Sequence, residues 1–230
     1  MKTIILPSKK KVAETVADLI QEKIKKKPNL VLGLATGGTM MPLYKELRKR
    51  KIDWSKVKTF NLDEYVGIKK KKDSYHYFMD KYLFSKINIK RKNTYFPSAG
   101  KDYDKKIKKA GGIDLQILGI GVNGHIGFNE PNSKFNSKTR VVNLSDQTRR
   151  SNSRFFQSLN SVPKKAITMG ISTILKAKEI YLIATGRKKA LAIQKAVECK
   201  PNEKIPATAL KKHKRVSFFL DKKASGKLGD

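Results

Sequence analysis

The chain has 230 residues, 39% of them apolar, which is enough hydrophobic area to order one domain and too much for a disordered polyelectrolyte. Its 52 Lys and Arg against 19 Asp and Glu give a formal charge of +33, and a single cysteine, Cys199, excludes an internal disulfide. No run of about 18 apolar residues is present to span a bilayer, and the apolar stretch before Pro7 is too short for a secretion signal; the expected compartment is the cytoplasm.

Taken in chain order, short apolar runs alternate with segments of helical period, the pattern of an α/β fold with a largely parallel, open sheet flanked by helices. One domain over residues 1–230 is expected. Strands are expected at residues 3–6, 30–34, 57–62, 114–119, 180–184 and 216–220. Val12, Val16, Leu19, Ile20 and Ile24 fall on one helical face, and Leu43, Tyr44 and Leu47 form another after the second strand. Further helices are expected at 155–159 and 171–175, and loops at 96–104 and 129–138. Several strands run straight into short polar or glycine-bearing segments, which an open parallel sheet gathers into one crevice at its carboxyl edge.

The charge excess is mostly lysine, and it recurs along the whole chain, at 9–11, 25–27, 69–72, 105–109 and 211–214. A dedicated nucleic-acid surface concentrates arginine and interleaved aromatics on one face or arm. The lysines here read as a solvated, supercharged coating, with non-specific polyanion binding as its expected consequence. A nucleic-acid-binding protein remains the alternative from a different class.

Four segments can carry chemistry. Thr36-Gly37-Gly38-Thr39 follows an apolar strand and opens a helix near Met41, where unpaired N–H groups and close backbone approach suit a phosphate. The plainer reading is a tight turn with Thr39 as helix cap. Asp63 and Glu64 end the next strand, where a partly desolvated carboxylate can act as a base toward a carbon-bound proton; a helix cap or a lysine partner is the alternative. In Gly121-Val-Asn-Gly-His-Ile-Gly-Phe-Asn-Glu-Pro131 the glycines at 119, 121 and 124 imitate a dinucleotide fingerprint, with Asp146 about 20 residues on. Gly127 and Pro131 interrupt the helix that such a loop must open into. What remains is His125 and Glu130 on one turn, an imidazole and a carboxylate suited to acid–base work on a sugar oxygen. Finally, Arg154 and Lys189 are cations, and Lys189 lies in the first turn of a helix, where a positive side chain opposes the dipole unless an anion is bound.

Read together, TGGT, FNLDEYVG, GHIGFNEP, NSRFF and the Gly-x-x-Lys-Ala turn resemble glucosamine-6-phosphate deaminase over essentially the whole chain. The 6-phosphogluconolactonases are similar around the glycine loop but do not normally carry the FNEP continuation, and a lactonase is the alternative within this fold. The resemblance implies a three-layer, modified Rossmann-like fold. It implies conversion of glucosamine 6-phosphate and water to fructose 6-phosphate and ammonia, with no metal or organic cofactor. By the same resemblance His125 assists ring opening with Asn123 and Glu130 orienting it, and Asp63 moves the proton between C2 and C1. Thr36, Gly37, Gly38, Thr39, Arg154 and Lys189 are implied to hold the phosphate end, with Glu64 also in the substrate site. Asn123 stands where longer, allosteric members have Asp, and only ten residues follow the 216–220 strand. The implied form is a short, non-allosteric monomer. Lysine at positions where the family has acids or neutral residues leads us to expect a surface engineered around an unaltered site.

Overall fold

The structure is a computed structural model that describes residues 1–68, 70–98, 102–153 and 156–229. Its main sheet has seven parallel strands: β1 (Lys2–Leu6), β2 (Val31–Leu34), β3 (Lys58–Asn61), β5 (Thr94–Tyr95), β6 (Leu115–Leu118), β9 (Ile180–Ala184) and β10 (Val216–Asp221). They lie in the order β1-β10-β9-β6-β2-β3-β5. The six expected strands all fall in this sheet. Buried on both faces, β2 and β9 read in the sequence as continuous apolar runs, and β6 as one broken only by the buried Gln116.

Helix α1 (Lys9–Lys26) forms because Val12, Val16, Ile20 and Ile24 bury one stripe while Ser8 accepts a hydrogen bond from the Lys11 backbone N–H at its start. Helix α2 (Met40–Lys49) buries Met40, Leu43, Tyr44 and Leu47 in the same way. Gly33 in β2 leaves room for the buried amide of Gln116, which a side chain there would have to displace. Among the described residues no helix is long and apolar enough to cross a membrane.

The chain first runs outward from β2 to β3 and β5, then returns to place β6 on the other side of β2. The strand order therefore reverses between β2 and β6, which pair through Leu32–Leu115 and Gly33–Gln116. The loops leaving these two strands face each other across the resulting crevice.

A second sheet was not foreseen. β4 (Asp63–Val66), β7 (Arg140–Asn143) and β8 (Lys165–Thr168) form an antiparallel sheet in the order β4-β8-β7. β7 is half-buried, and β4 and β8, though mostly buried, carry Asp63, Glu64, Lys165 and Thr168, so the three lack the apolar runs that mark the main sheet. Leu62 joins the two sheets: its N–H donates to Leu34 O at 2.9 Å, and its carbonyl accepts from Met169 N–H at 2.7 Å. The bend there delivers Asp63 to the junction. Tyr65, Phe128, Leu144 and Ala166 make a separate small core beside this sheet.

Other expectations need correction. Tyr103 and Asp104 belong to helix α4 (Tyr103–Lys109) and not to a loop, because Tyr103 and Ile107 anchor one helical face despite the intervening lysines. The helix expected at 155–159 is not formed by its described residues; a 3-10 turn spans Leu159–Ser161, and Phe155 lies outside the described residues. A helix does stand upstream, α5 (Asp146–Asn152), capped by Ser145 with Asp146 in its first turn. Its sequence is almost wholly polar, so no apolar period announced it. The short α6 (Ile171–Ile174) lies where a helix was expected.

Candidate active site

A crevice of about 900 Å³, open to solvent, lies over the strand-order reversal and is lined by Thr36 to Thr39, Asp63, Asn123, His125 and Lys189 together. Segments far apart in sequence are brought to one wall because each leaves the same edge of a sheet.

The first wall is the turn after β2. Gly37 has φ +97°, a left-handed conformation that only glycine adopts freely. Thr39 stands at the cap position of α2 but makes no side-chain cap hydrogen bond, which corrects the plainer reading, and the residue lines the crevice. Lys189 reaches the same region from the 3-10 turn Arg187–Lys189, just before helix α7 (Ala190–Glu198). That turn is held by Asp221, whose carboxylate oxygens accept from Gly186 N–H at 2.9 and 3.1 Å. Arg154 lies outside the described residues.

The floor carries Asp63. Burial, with Glu64 adjacent, pushes its carboxyl up to about 8. It therefore holds a proton near neutrality in the free protein and becomes a base of useful strength as that proton leaves. Glu64 does something else. One of its oxygens accepts from the N–H groups of Tyr65 and Tyr75 at 2.8 and 2.9 Å. The other accepts from His76 N–H at 3.0 Å and lies 2.6 Å from His76 Nδ1. It is absent from the crevice wall. Its expected substrate role is thus corrected: it caps helix α3 (Tyr75–Tyr82), the alternative that its adjacency to Asp63 concealed.

The far wall is the loop after β6. It closes on itself through Gly121 N–H to His125 O at 2.8 Å and Gly124 N–H to Gly121 O at 3.1 Å, and no helix follows, so the dinucleotide reading is excluded. The His125 ring lies against the backbone of Gly121, where any side chain would meet it at 2.3 Å. Asn123 donates to Glu130 Oε2 at 2.9 Å, and its carbonyl accepts from His125 N–H at 3.3 Å. His125 Nδ1 faces Glu130 Oε2 at 3.6 Å, within ion-pair reach but too long for a hydrogen bond. Asn123 thus takes the shorter contact with the carboxylate that also faces the imidazole.

Burial would raise the Glu130 carboxyl, yet His125, Thr148 and Asn123 together outweigh it and hold it down at about 2. The sign follows. A depressed folded value contributes stability above the ordinary value near 4.5 that is lost as pH falls toward 2. Glu130→Gln is therefore expected to destabilise the protein by ~2–3 kcal/mol at pH 7, with the difference closing in acid. Thermal unfolding at pH 7 and pH 3 checks this.

Several wall residues escaped sequence reasoning. Tyr75 enters on α3, and Thr148, Ser151 and Asn152 on α5. Asn152 donates to Tyr65 Oη at 3.0 Å and Tyr75 Oη lies 3.2 Å from it, so the wall is tied to the small sheet. Their signals were the caps Ser74 and Ser145.

The family model for glucosamine-6-phosphate isomerases and 6-phosphogluconolactonase matches residues 8–218. The chain belongs to that family. It is 46% identical to a glucosamine-6-phosphate deaminase of Thermoanaerobacter sp. (strain X514) over all of this chain and 96% of the relative. It is 48% identical to that of Mycoplasma mycoides subsp. mycoides SC over 99% and 98%. A solved monomeric glucosamine-6-phosphate deaminase superposes with TM-score 0.95 at 40% identity, covering 99% of this chain and all of that one. A 6-phosphogluconolactonase from Thermotoga maritima shares the fold, with TM-score 0.78 at 20% identity over 96% and 99%.

Within this family fold the loop that carries His125 is held by a buried clamp. Asn129, fully buried, donates to Ile126 O at 2.9 Å and Met169 O at 2.8 Å, and accepts from Arg140 Nη1 at 2.9 Å. Arg140→Ala strips one partner from a buried amide, a loss of ~1–3 kcal/mol. The loop then loosens, and kcat is expected to fall roughly 10- to 100-fold, with a smaller change in KM. Steady-state kinetics beside a melting curve separates the two effects.

Proposed function

We propose that this protein is a glucosamine-6-phosphate deaminase, an aldose–ketose isomerising enzyme that releases ammonia and fructose 6-phosphate. The observation that carries the reading is one crevice holding three separate functions: a glycine turn with Lys189 for a phosphate, Asp63 on the floor, and His125 backed by Glu130 opposite. With the phosphate anchored at the turn, the sugar extends toward Asp63 and His125.

His125 handles the ring-oxygen proton during opening, and Glu130 supports the imidazole while it carries charge. Asp63, as carboxylate, then takes the proton from C2 and returns it at C1, using one buried base for both transfers, and water adds to the resulting C2 imine and expels its nitrogen as ammonia, leaving the C2 ketone. Thr36, Gly37, Gly38 and Thr39 hold the phosphate with Lys189 and Arg154. Asn123 sets the orientation of the His125 loop through its two hydrogen bonds. The single domain acts as a cytoplasmic monomer, a form supported by its likeness to the monomeric deaminase.

Side-by-side assays test this reading. Ammonia released from glucosamine 6-phosphate is expected, with slow or no hydrolysis of 6-phosphogluconolactone. The reverse preference would make the chain a lactonase.

A further inference from the structure

Beside the crevice lies a second, open cavity of about 1310 Å³, lined by Lys9, Arg187, Lys188, Lys189 and Lys223 and sharing Gly38, Thr39 and Lys189 with the first. The one acid in its wall is Asp221, buried and fully engaged: it accepts from Gly186 N–H and from Ala224 N–H, the latter at 2.8 Å. Among the described residues, none of Lys9, Arg187, Lys188 and Lys223 forms an ion pair, although lysines elsewhere do find acids, as Lys23 does with Glu179 and Lys27 and Lys178 with Asp114. Lys9 opens α1 with no acid in the first turn, so its charge also opposes the helix dipole. Lys9, Arg187, Lys188 and Lys223 thus repel each other in one wall unless an anion lies between them.

We infer that this basin is a second anion-binding site, continuous with the crevice, that captures the phosphate of the incoming sugar phosphate and hands it to the glycine turn. The inference rests on the proposed deaminase reading for the identity of the substrate, but the basin itself takes phosphate-class anions whatever the chemistry next door. Positive potential at the mouth acts on a dianion during approach and after entry. It therefore raises kcat/KM, whereas kcat, which starts from bound substrate, is indifferent to it.

Two charge-matched variants test the inference. The first is Lys9→Gln, Arg187→Gln, Lys188→Gln and Lys223→Gln in one chain, with Lys189 left intact. The second is Lys25→Gln, Lys26→Gln, Lys109→Gln and Lys176→Gln, exposed positions outside both cavity walls that lower the net charge equally. At low ionic strength the basin variant is expected to lose about 10-fold or more in kcat/KM with kcat unchanged, and the loss should shrink near 0.5 M salt. The matched control should lose far less. Equal losses in the two variants would overturn the basin and assign any steering to bulk charge; no loss in either would overturn it as well. Calorimetric titration with tripolyphosphate reads the same site without turnover: weaker binding in the basin variant than in the control supports it, and equal binding contradicts it. A protein that binds tripolyphosphate in this way yet releases no ammonia would refute the deaminase reading alone.

Discussion

Asp63→Asn is expected to remove most of the activity while making the protein more stable. Positioned proton transfer contributes ~10²- to 10⁴-fold, and an amide cannot accept the C2 proton, so kcat should drop by about that factor. The stability gain has a separate origin. The free carboxyl titrates near 3.8, but in the fold burial and the neighbouring Glu64 push it up to about 8. The folded state thus retains a proton that the unfolded chain releases. A raised folded value contributes stability that is complete below the ordinary one and is lost as pH rises through 8. Asn has no such loss. The melting temperature of Asp63→Asn should exceed that of the wild type by a margin that widens from pH 5 to pH 8.5, amounting to a few kcal/mol at ~1.4 kcal/mol per pKa unit. For the wild type, the same titration makes kcat/KM climb with pH toward about 8. A melting margin independent of pH would show that Asp63 is not held protonated in the fold.

His125→Gln is expected to lower kcat by ~10²- to 10⁴-fold. The ring lines the crevice against the Gly121 backbone with Nδ1 buried, and its loss removes the leading group that holds Glu130 down, so the melting temperature should also fall, by less than in Glu130→Gln. Glutamine keeps a polar group near the same place but cannot exchange a proton at the ring oxygen. The remaining rate should then be limited by ring opening in solution, and the defect should narrow as substrate already in open-chain form becomes a larger fraction of what is turned over. A rise in KM at constant kcat would instead reduce His125 to a binding contact.

How much of this was legible in the sequence depends on the local physics of each segment. β2 and β9 announce themselves because strands buried in a parallel sheet favour unbroken apolar runs, and β6 and β10 do so with only Gln116 and Ser217 interrupting theirs before the strand end. The loops after β2 and β6 are legible for the same reason in reverse: glycines and polar residues interrupt those runs where the backbone must turn and approach a ligand. β4, β7 and β8 were hidden because each exposes or half-exposes part of its length and carries charges, so neither an apolar run nor a clean alternation results.

Glu64 shows the limit more sharply. Its neighbour Asp63 points at the crevice, yet Glu64 pairs with backbone N–H groups eleven and twelve residues away on α3, a contact set by the bend at Leu62 and by no local pattern. Asn152 and Thr148 were missed because α5 carries only cap signals, and a polar helix over a crevice has no apolar stripe to betray it. The charge was legible in amount but not in arrangement: only the fold separates lysines that hold acids from those gathered around Asp221.

In the proposed mechanism Asp63 carries one proton from C2 to C1 within this crevice. Turnover of glucosamine 6-phosphate in D₂O, with the fructose 6-phosphate product read by NMR, tests it most directly. A shielded carboxyl that delivers the proton it has just taken should leave a large share of C1 unlabelled in the wild type, and Asp63→Asn should form no product at a comparable rate. One full equivalent of deuterium at C1, the most that solvent can supply beside the retained aldehyde hydrogen, together with undiminished turnover by Asp63→Asn, would contradict it.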